Sequence, residues 1–287
     1  MMKRTETGRR IFRILIVLVL SFALCACTGG SSSSSLTAED GRRVLRVGME
    51  CAYAPNNWME EKKSDTNVVI ENVPGMYAEG YDVQIARLIG EQLDADIVVV
   101  RLDWEDLIDS LNAGEIDLII AGMADTEERR ELISFSDCYS AQKTEYGILL
   151  YKDSKYASAE SLDDLAGAAL MGQKGTRYDE VIDQIDGAVH LSPVSSVVNM
   201  VDRLLNKTCD GIVADELLSA AYLTKYALQL TFVTFEDGKG FDIGFEGSCA
   251  GIRKEDTELL EQVNRALAEI SMETRKELEN QAIADMP

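Results

Sequence analysis

The chain has 287 residues, 46% of them hydrophobic, which is enough for one or two domains with a full core. Its formal charge of −22 argues against nucleic acid or an anionic membrane as a direct binding surface. A single histidine, His190, argues against a histidine-built metal centre or hydrolytic triad, and no GxxxxGK(S/T), GxGxxG, GxSxG or HExxH motif is present.

The N-terminus reads as an export signal. Lys3, Arg4, Arg9, Arg10 and Arg13 precede an apolar run over residues 14–24, which is short for a membrane span and fits the hydrophobic region of a signal peptide. The run ends in Leu24-Cys25-Ala26-Cys27, which resembles the bacterial lipobox, with Cys27 as the lipid-bearing first residue of the mature protein. Cys25 is the second candidate, but it places bulky Leu24 where a small residue is needed. The alternative is an uncleaved anchor helix. Residues 1–26 are thus expected to be a signal peptide and residues 27–43, rich in serine and glycine, a flexible tether. Cys51, Cys138, Cys209 and Cys249 have no zinc-motif spacing. An extracellular setting permits disulfides without favouring any one pair.

From residue 44 the pattern alternates strand and helix. Strands are expected at 44–49 and 96–100, and helices at 82–93, opened by Asp82, and at 103–111, capped by Asp103 and ended by Asn112-Ala113-Gly114. The stretch 60–79 has turn residues and no period, and reads as a loop. Trp58 just before it reads as a packing residue. A buried strand at 117–121 runs into Gly122, and Asp125 with Glu128 reads as the N-cap and capping box of the next helix. Residues 146–151 form a strand. A second series follows: a short helix capped by Ser161 and Asp164, a strand at 168–171, and helices at 176–185 and 195–205. Then come a strand at 211–214, a helix at 216–226, strands at 228–235 and 248–253, and two amphipathic helices at 256–270 and 272–283. His190 falls in a further short strand. Two βα series of similar build predict an α/β protein of two lobes with a ligand cleft between them.

Arg129 carries the clearest chemical signal. It lies early in the helix after Gly122, at the carboxyl edge of a strand, where α/β sheets place ligands and where helix N–H groups favour anions. A cation is misplaced at that helix end unless an anion completes the cluster, and guanidinium grips a carboxylate with two parallel hydrogen bonds. The bland alternative is a solvated arginine beside Arg130.

These segments resemble family 3 of the bacterial extracellular solute-binding proteins, the polar amino-acid receptors of ATP-binding-cassette importers. The resemblance runs from Val44 to Ile270 through LRVGMECAYAP, GYDVQIARLIGEQL, DWEDLIDSLNAGEIDLIIAGMADTEERRELISFS, GQKGT, CDGIVADE and GIRKEDTELLEQVNRAL. It implies a type II periplasmic-binding-protein fold: lobe I from residues 44–146 and 247–287, and lobe II from residues 147–246. Crossover strands are expected near 144–148 and 243–248. It also implies that Arg129 pairs with a ligand α-carboxylate beside Gly122 and Thr126, with Thr176 touching the same group from lobe II. Asp215 would receive the α-ammonium, Glu50 and Tyr53 would meet the ligand side chain, and Trp104 would cover it. Ala124 and Arg177 depart from the family pattern, and Arg177 would supply what Ala124 lacks.

The expected partners are a free polar or cationic amino acid, a membrane permease, and the membrane through the lipid; no cofactor, metal or nucleic acid is expected. Two other readings remain at this stage. One is a ligand sensor docking on a signalling receptor, and the other is a dehydratase on the same fold using Glu50 as its acid.

Overall fold

The computed structural model describes residues 41–140, 144–236, 238–244 and 247–287. The signal peptide, Cys27 and most of the tether lie outside the described residues. Three sheets organise the rest. In the first, strands β1 (Arg43–Met49), β6 (Ala95–Arg101), β7 (Leu118–Ile119), β8 (Ser134–Cys138) and β14 (Cys249–Ile252) run in the order β6-β1-β7-β14-β8. The first three are parallel, whereas β14 runs antiparallel to both β7 and β8. In the second, β9 (Tyr146–Tyr151), β10 (Ala169–Met171), β11 (Val189–His190), β12 (Gly211–Asp215) and β13 (Leu230–Val233) run in the order β11-β10-β12-β9-β13. Each sheet has its own core. The chain crosses between them twice, between β8 and β9 and between β13 and β14.

The stretch from residue 60 to residue 79 departs from the expected loop. β2 (Ala52–Tyr53), β3 (Asn57–Glu60), β4 (Val68–Val69) and β5 (Tyr77–Glu79) make a small antiparallel sheet against lobe I. Trp58 packs beneath it in the lobe I core, 4% exposed. These strands are too short to show a period. Their stability comes from pairing with residues distant in sequence, which a local pattern does not record. Strand β8 likewise went unread, because its polar residues Ser134, Ser136 and Asp137 mask its role at a sheet edge.

Helix α1 (Tyr81–Gln92) starts one residue early, and Gly80 is its N-cap. Asp82 therefore points inward. It is fully buried, accepting from Asn57 Nδ2 at 2.7 Å and from Tyr139 Oη at 2.8 Å. Residues 103–111 divide into a 3-10 turn (Trp104–Asp106) and α2 (Leu107–Ala113), and Asp103 makes no side-chain cap. The expected Asp125 capping box is also displaced. Helix α3 (Glu127–Arg130) is capped by Thr126, whose Oγ1 accepts from Arg129 N, while the Asp125 carboxylate pairs with Arg130. In lobe II, α4 (Arg177–Glu180) gives way to a 3-10 turn, and α5 (Val197–Leu205) and α6 (Glu216–Tyr226) flank the sheet. The Ser161 and Asp164 box is present as expected. Helices α7 (Thr257–Glu269) and α8 (Met272–Asp285) return to lobe I.

Gly147, near the start of β9, is pressed against β13. A Cβ there would run into Val233 O and stand 2.8 Å from the Phe232 ring. Gly147→Ala should cost about 1–3 kcal/mol through this overpacking. Urea denaturation measures it, and an unchanged midpoint would show that β9 and β13 are not held this closely.

Candidate functional site

The carboxyl ends of β1, β7, β10 and β12 converge on one cavity between the lobes. Lobe I lines it with Glu50, Tyr53, Trp104, Gly122, Ala124 and Arg129; lobe II adds Tyr146, Gln173, Thr176, Arg177, Tyr178 and Asp215, and the connections add Thr144 and Ser248. Every candidate except Thr126 is in this wall. The Thr126 hydroxyl is occupied with capping α3 instead. No histidine or cysteine lines the cavity, and His190 lies elsewhere, between Asp179 and Asp183 at 2.8 Å from each.

Arg129 is half-buried, and its guanidinium contacts neutral groups. Nη1 donates to Ala124 O at 3.0 Å and Nη2 to Gly175 O at 3.3 Å, while Cζ stands 5.2 Å from the centre of the Trp104 ring. Desolvation pulls its pKa down. Among the described residues no carboxylate comes within ion-pair distance of it. Helix α3 is a single turn, so its dipole is weak and the positive character of this end of the site rests on the guanidinium itself.

The opposite wall holds Asp215. Its Oδ1 accepts from Leu218 N at 2.7 Å, so it does cap α6, and its Oδ2 accepts from Tyr178 Oη at 2.6 Å and Tyr53 Oη at 3.1 Å. Burial pushes its pKa up despite these donors. Tyr53 belongs to lobe I, yet it packs with the lobe II core and its hydroxyl lies 2.8 Å from that of Tyr178. The Tyr146 and Tyr178 rings meet at a tilt of 40°, with centroids 4.9 Å apart. Tyr146, Tyr178 and Gln173 were missed as site residues. Gln173 lay within the quoted GQKGT segment, whereas the tyrosines gave no local signal.

Glu50 is 4% exposed, and its Oε1 accepts from Gln173 Nε2 at 2.8 Å. Burial pushes it up to about 8, against the smaller opposing pull of the Gln173 hydrogen bond. Thr176 is buried with its hydroxyl donating to Gln173 O at 2.8 Å. Arg177 is held by Glu180 Oε2 at 2.7 Å and Asp242 O at 3.3 Å. Gly122 adopts φ +66°, and a Cβ there would meet the Tyr53 ring at 2.7 Å. Its N–H donates at 2.9 Å to Tyr139 Oη, which in turn donates to buried Asp82. Across the mouth, Trp104 Nε1 donates to Gly175 O at 2.8 Å and Lys174 pairs with Glu105 at 2.9 Å.

Residues 45–284 match the profile of the bacterial extracellular solute-binding proteins, family 3. The chain belongs to this family. It is 29% identical over 268 residues to the arginine-binding extracellular protein ArtP of Bacillus subtilis, covering 93% of each chain. It is 25% identical over 240 residues to a probable histidine-binding protein of Campylobacter jejuni, covering 83% of this chain and 86% of the other. Among solved structures, an amino-acid importer's substrate-binding protein from Streptococcus pneumoniae, bound to L-arginine, superposes with a TM-score of 0.71 at 23% identity. That superposition covers 84% of this chain and 94% of the other, a likeness of fold. The family member described here thus has the two-lobed type II periplasmic-binding-protein fold expected from its sequence.

Glu50 gives this family member a pH signature. When folded it keeps its proton to about pH 8, whereas unfolded it ionises near 4.5, so the folded state binds more protons between these values. Stability should therefore fall as pH rises across that window. Asp82, pushed by burial up to about 6, shares only the lower half. Urea midpoints at pH 6 and pH 8 should differ in the wild type and differ less in Glu50→Gln, where His190, also raised, keeps a slope of the same sign; equal slopes in both proteins would remove Glu50 as a cause.

Proposed function

We propose that this chain is an extracellular, lipid-anchored receptor that binds a free polar amino acid between its lobes and delivers it to the permease of an ATP-binding-cassette importer. The observation that carries the reading is the pairing of opposite charges on facing walls of one cavity. Arg129 has no acidic partner among the described residues, and the Asp215 carboxylate is held only by neutral donors. An α-amino acid zwitterion supplies a carboxylate for the first and an ammonium for the second, and so joins the lobes. Contacts from both lobes exist together only when they are closed, so binding shifts the population toward that form. Glu50, Tyr53, Trp104, Gly122, Thr176 and Asp215 complete the proposed ligand set with Arg129. Thr126 acts at one remove, by capping the turn that carries Arg129.

A cationic ligand is favoured over glutamine. Glu50 is a desolvated carboxyl at the side-chain end, and an incoming cation would restore its charge. The arginine- and histidine-binding names of relatives support the same direction. An ancestral arginine-binding protein, 26% identical with a TM-score of 0.67 over 83% of this chain and 96% of its own, has been solved bound to glutamine. A dehydratase would need Glu50 to act on an aromatic substrate, and the named relatives are binding proteins.

Arg129→Ala should cost about 2–5 kcal/mol of binding, or roughly 30-fold to several-thousand-fold in affinity. An amide or ester of the preferred amino acid should bind the wild type poorly and lose little more on the same substitution. Calorimetry on this cycle decides; additive losses would mean that Arg129 acts indirectly. For the anchor, Cys27→Ser should release the protein from membranes, and a mutant that stays bound, or a mature N-terminus other than Cys27, would refute lipidation there.

A further inference from the structure

Cys138 and Cys249 meet across the edge of the lobe I sheet, away from the ligand cavity. Cys138 is the last residue of β8 and Cys249 the first of β14, and the two are direct partners in the antiparallel register. Tyr139 N donates to Ser248 O at 2.8 Å, while Cys249 N turns away to Met123 O at 2.9 Å. The two cysteines thus exchange no backbone bond with each other. In such a pair the side chains stand closest, with Cα atoms about 4.5 Å apart, inside the roughly 4.4–6.8 Å that a disulfide spans. Their sulfurs and an Asp125 carboxylate oxygen lie within 4.8 Å of one another. Neither cysteine is disulfide-bonded as the fold stands; Cys249 is fully buried and Cys138 half-buried.

We infer that Cys138 and Cys249 form a disulfide once the protein is outside the cell. Two facts give the bond a purpose. The chain leaves the lobe I sheet directly after Cys138 and returns to it directly at Cys249. A bridge here ties together the roots of both connections, so that the lobes move about two fixed points. The oxidant is a disulfide, either of low molecular weight or on a thiol oxidoreductase. The accessible Cys138 thiolate attacks one of its sulfurs and expels a thiolate. The Cys249 thiolate then attacks the Cys138 sulfur of the mixed disulfide and expels the second. The protein loses two protons and two electrons, and the oxidant leaves as two thiols. The neighbouring Cys138 thiol and burial both raise the pKa of Cys249, so the more accessible Cys138 is the thiol that reacts first. The same three side chains would give a metal only three donors, and the Asp125 carboxylate is already paired with Arg130.

The full chain is incubated with oxidised glutathione, alkylated under denaturing, non-reducing conditions, and mapped by mass spectrometry. A peptide joining Cys138 to Cys249, with the loss of two hydrogens, and alkylated Cys51 and Cys209 are expected. Alkylation of both Cys138 and Cys249 overturns the proposal, as does stoichiometric zinc held by the two reduced thiols. A dithiol reductant should lower the melting temperature of the oxidised protein by about 10 °C, given the long loop that the bond closes. The Cys138→Ser, Cys249→Ser double variant should not respond to the reductant. An equal fall in both proteins overturns the assignment.

Discussion

A positive charge withdrawn from water and left without a carboxylate is the constraint around which this protein is arranged. A desolvated ion with no counter-ion is costly, by several kcal/mol where burial is complete. Arg129 escapes the full cost because it is only half-buried, and because two backbone carbonyls and the face of Trp104 take up its donors and its field. Each of these is weaker than a carboxylate. The proposed ligand carboxylate would bring two oxygens in one plane, which guanidinium matches and an ammonium does not. Asp215 is the mirror case, a carboxylate held in place by hydroxyls and amides rather than by a cation.

The walls hold these charges because polar atoms behind them are satisfied in a fixed order. Gly122 donates to Tyr139, Tyr139 donates to Asp82, and Asp82 also takes a proton donor from Asn57. Asn57 in turn accepts from Cys51 N at 2.8 Å, immediately after Glu50. One buried carboxylate thus connects the loop after β7 with the loop after β1, two separate parts of the lobe I wall. Its burial raises its pKa, and its donors stop the shift near 6.

Much of this was legible in the sequence where the pattern is local. Helix α6 begins and ends where its apolar and capping residues predict, strands β1 and β12 differ from expectation by one residue at one end, and β6 by one at each end. Arg129 stands out in the sequence because its charge conflicts with its place on a helix, and it lines the cavity. Features set by long-range pairing were not legible. The small sheet of β2 to β5 joins two-, three- and four-residue strands, and nothing within any one of them announces a partner. Asp82 looks like a helix cap because aspartate at a helix start usually faces solvent. Here Gly80 adopts the cap position, and Asn57 and Tyr139, from other segments, draw the carboxylate inside. Tyr146 and Tyr178 read as ordinary strand and helix aromatics until the two lobes are brought face to face.

The placing of the two tryptophans gives the molecule a built-in optical gauge. Trp58 is sealed in lobe I, with its Nε1 bonded to Glu60 at 2.9 Å within its own strand. Trp104 stands at the seam, bonded through Nε1 to Gly175 of the opposite lobe, with a guanidinium over its ring. Parting the lobes removes the hydrogen bond to Gly175 and wets the indole of Trp104, while Trp58 keeps its surroundings. Indole emission from the unlabelled protein therefore has a constant component and a variable one, and the variable one follows the opening of the cleft.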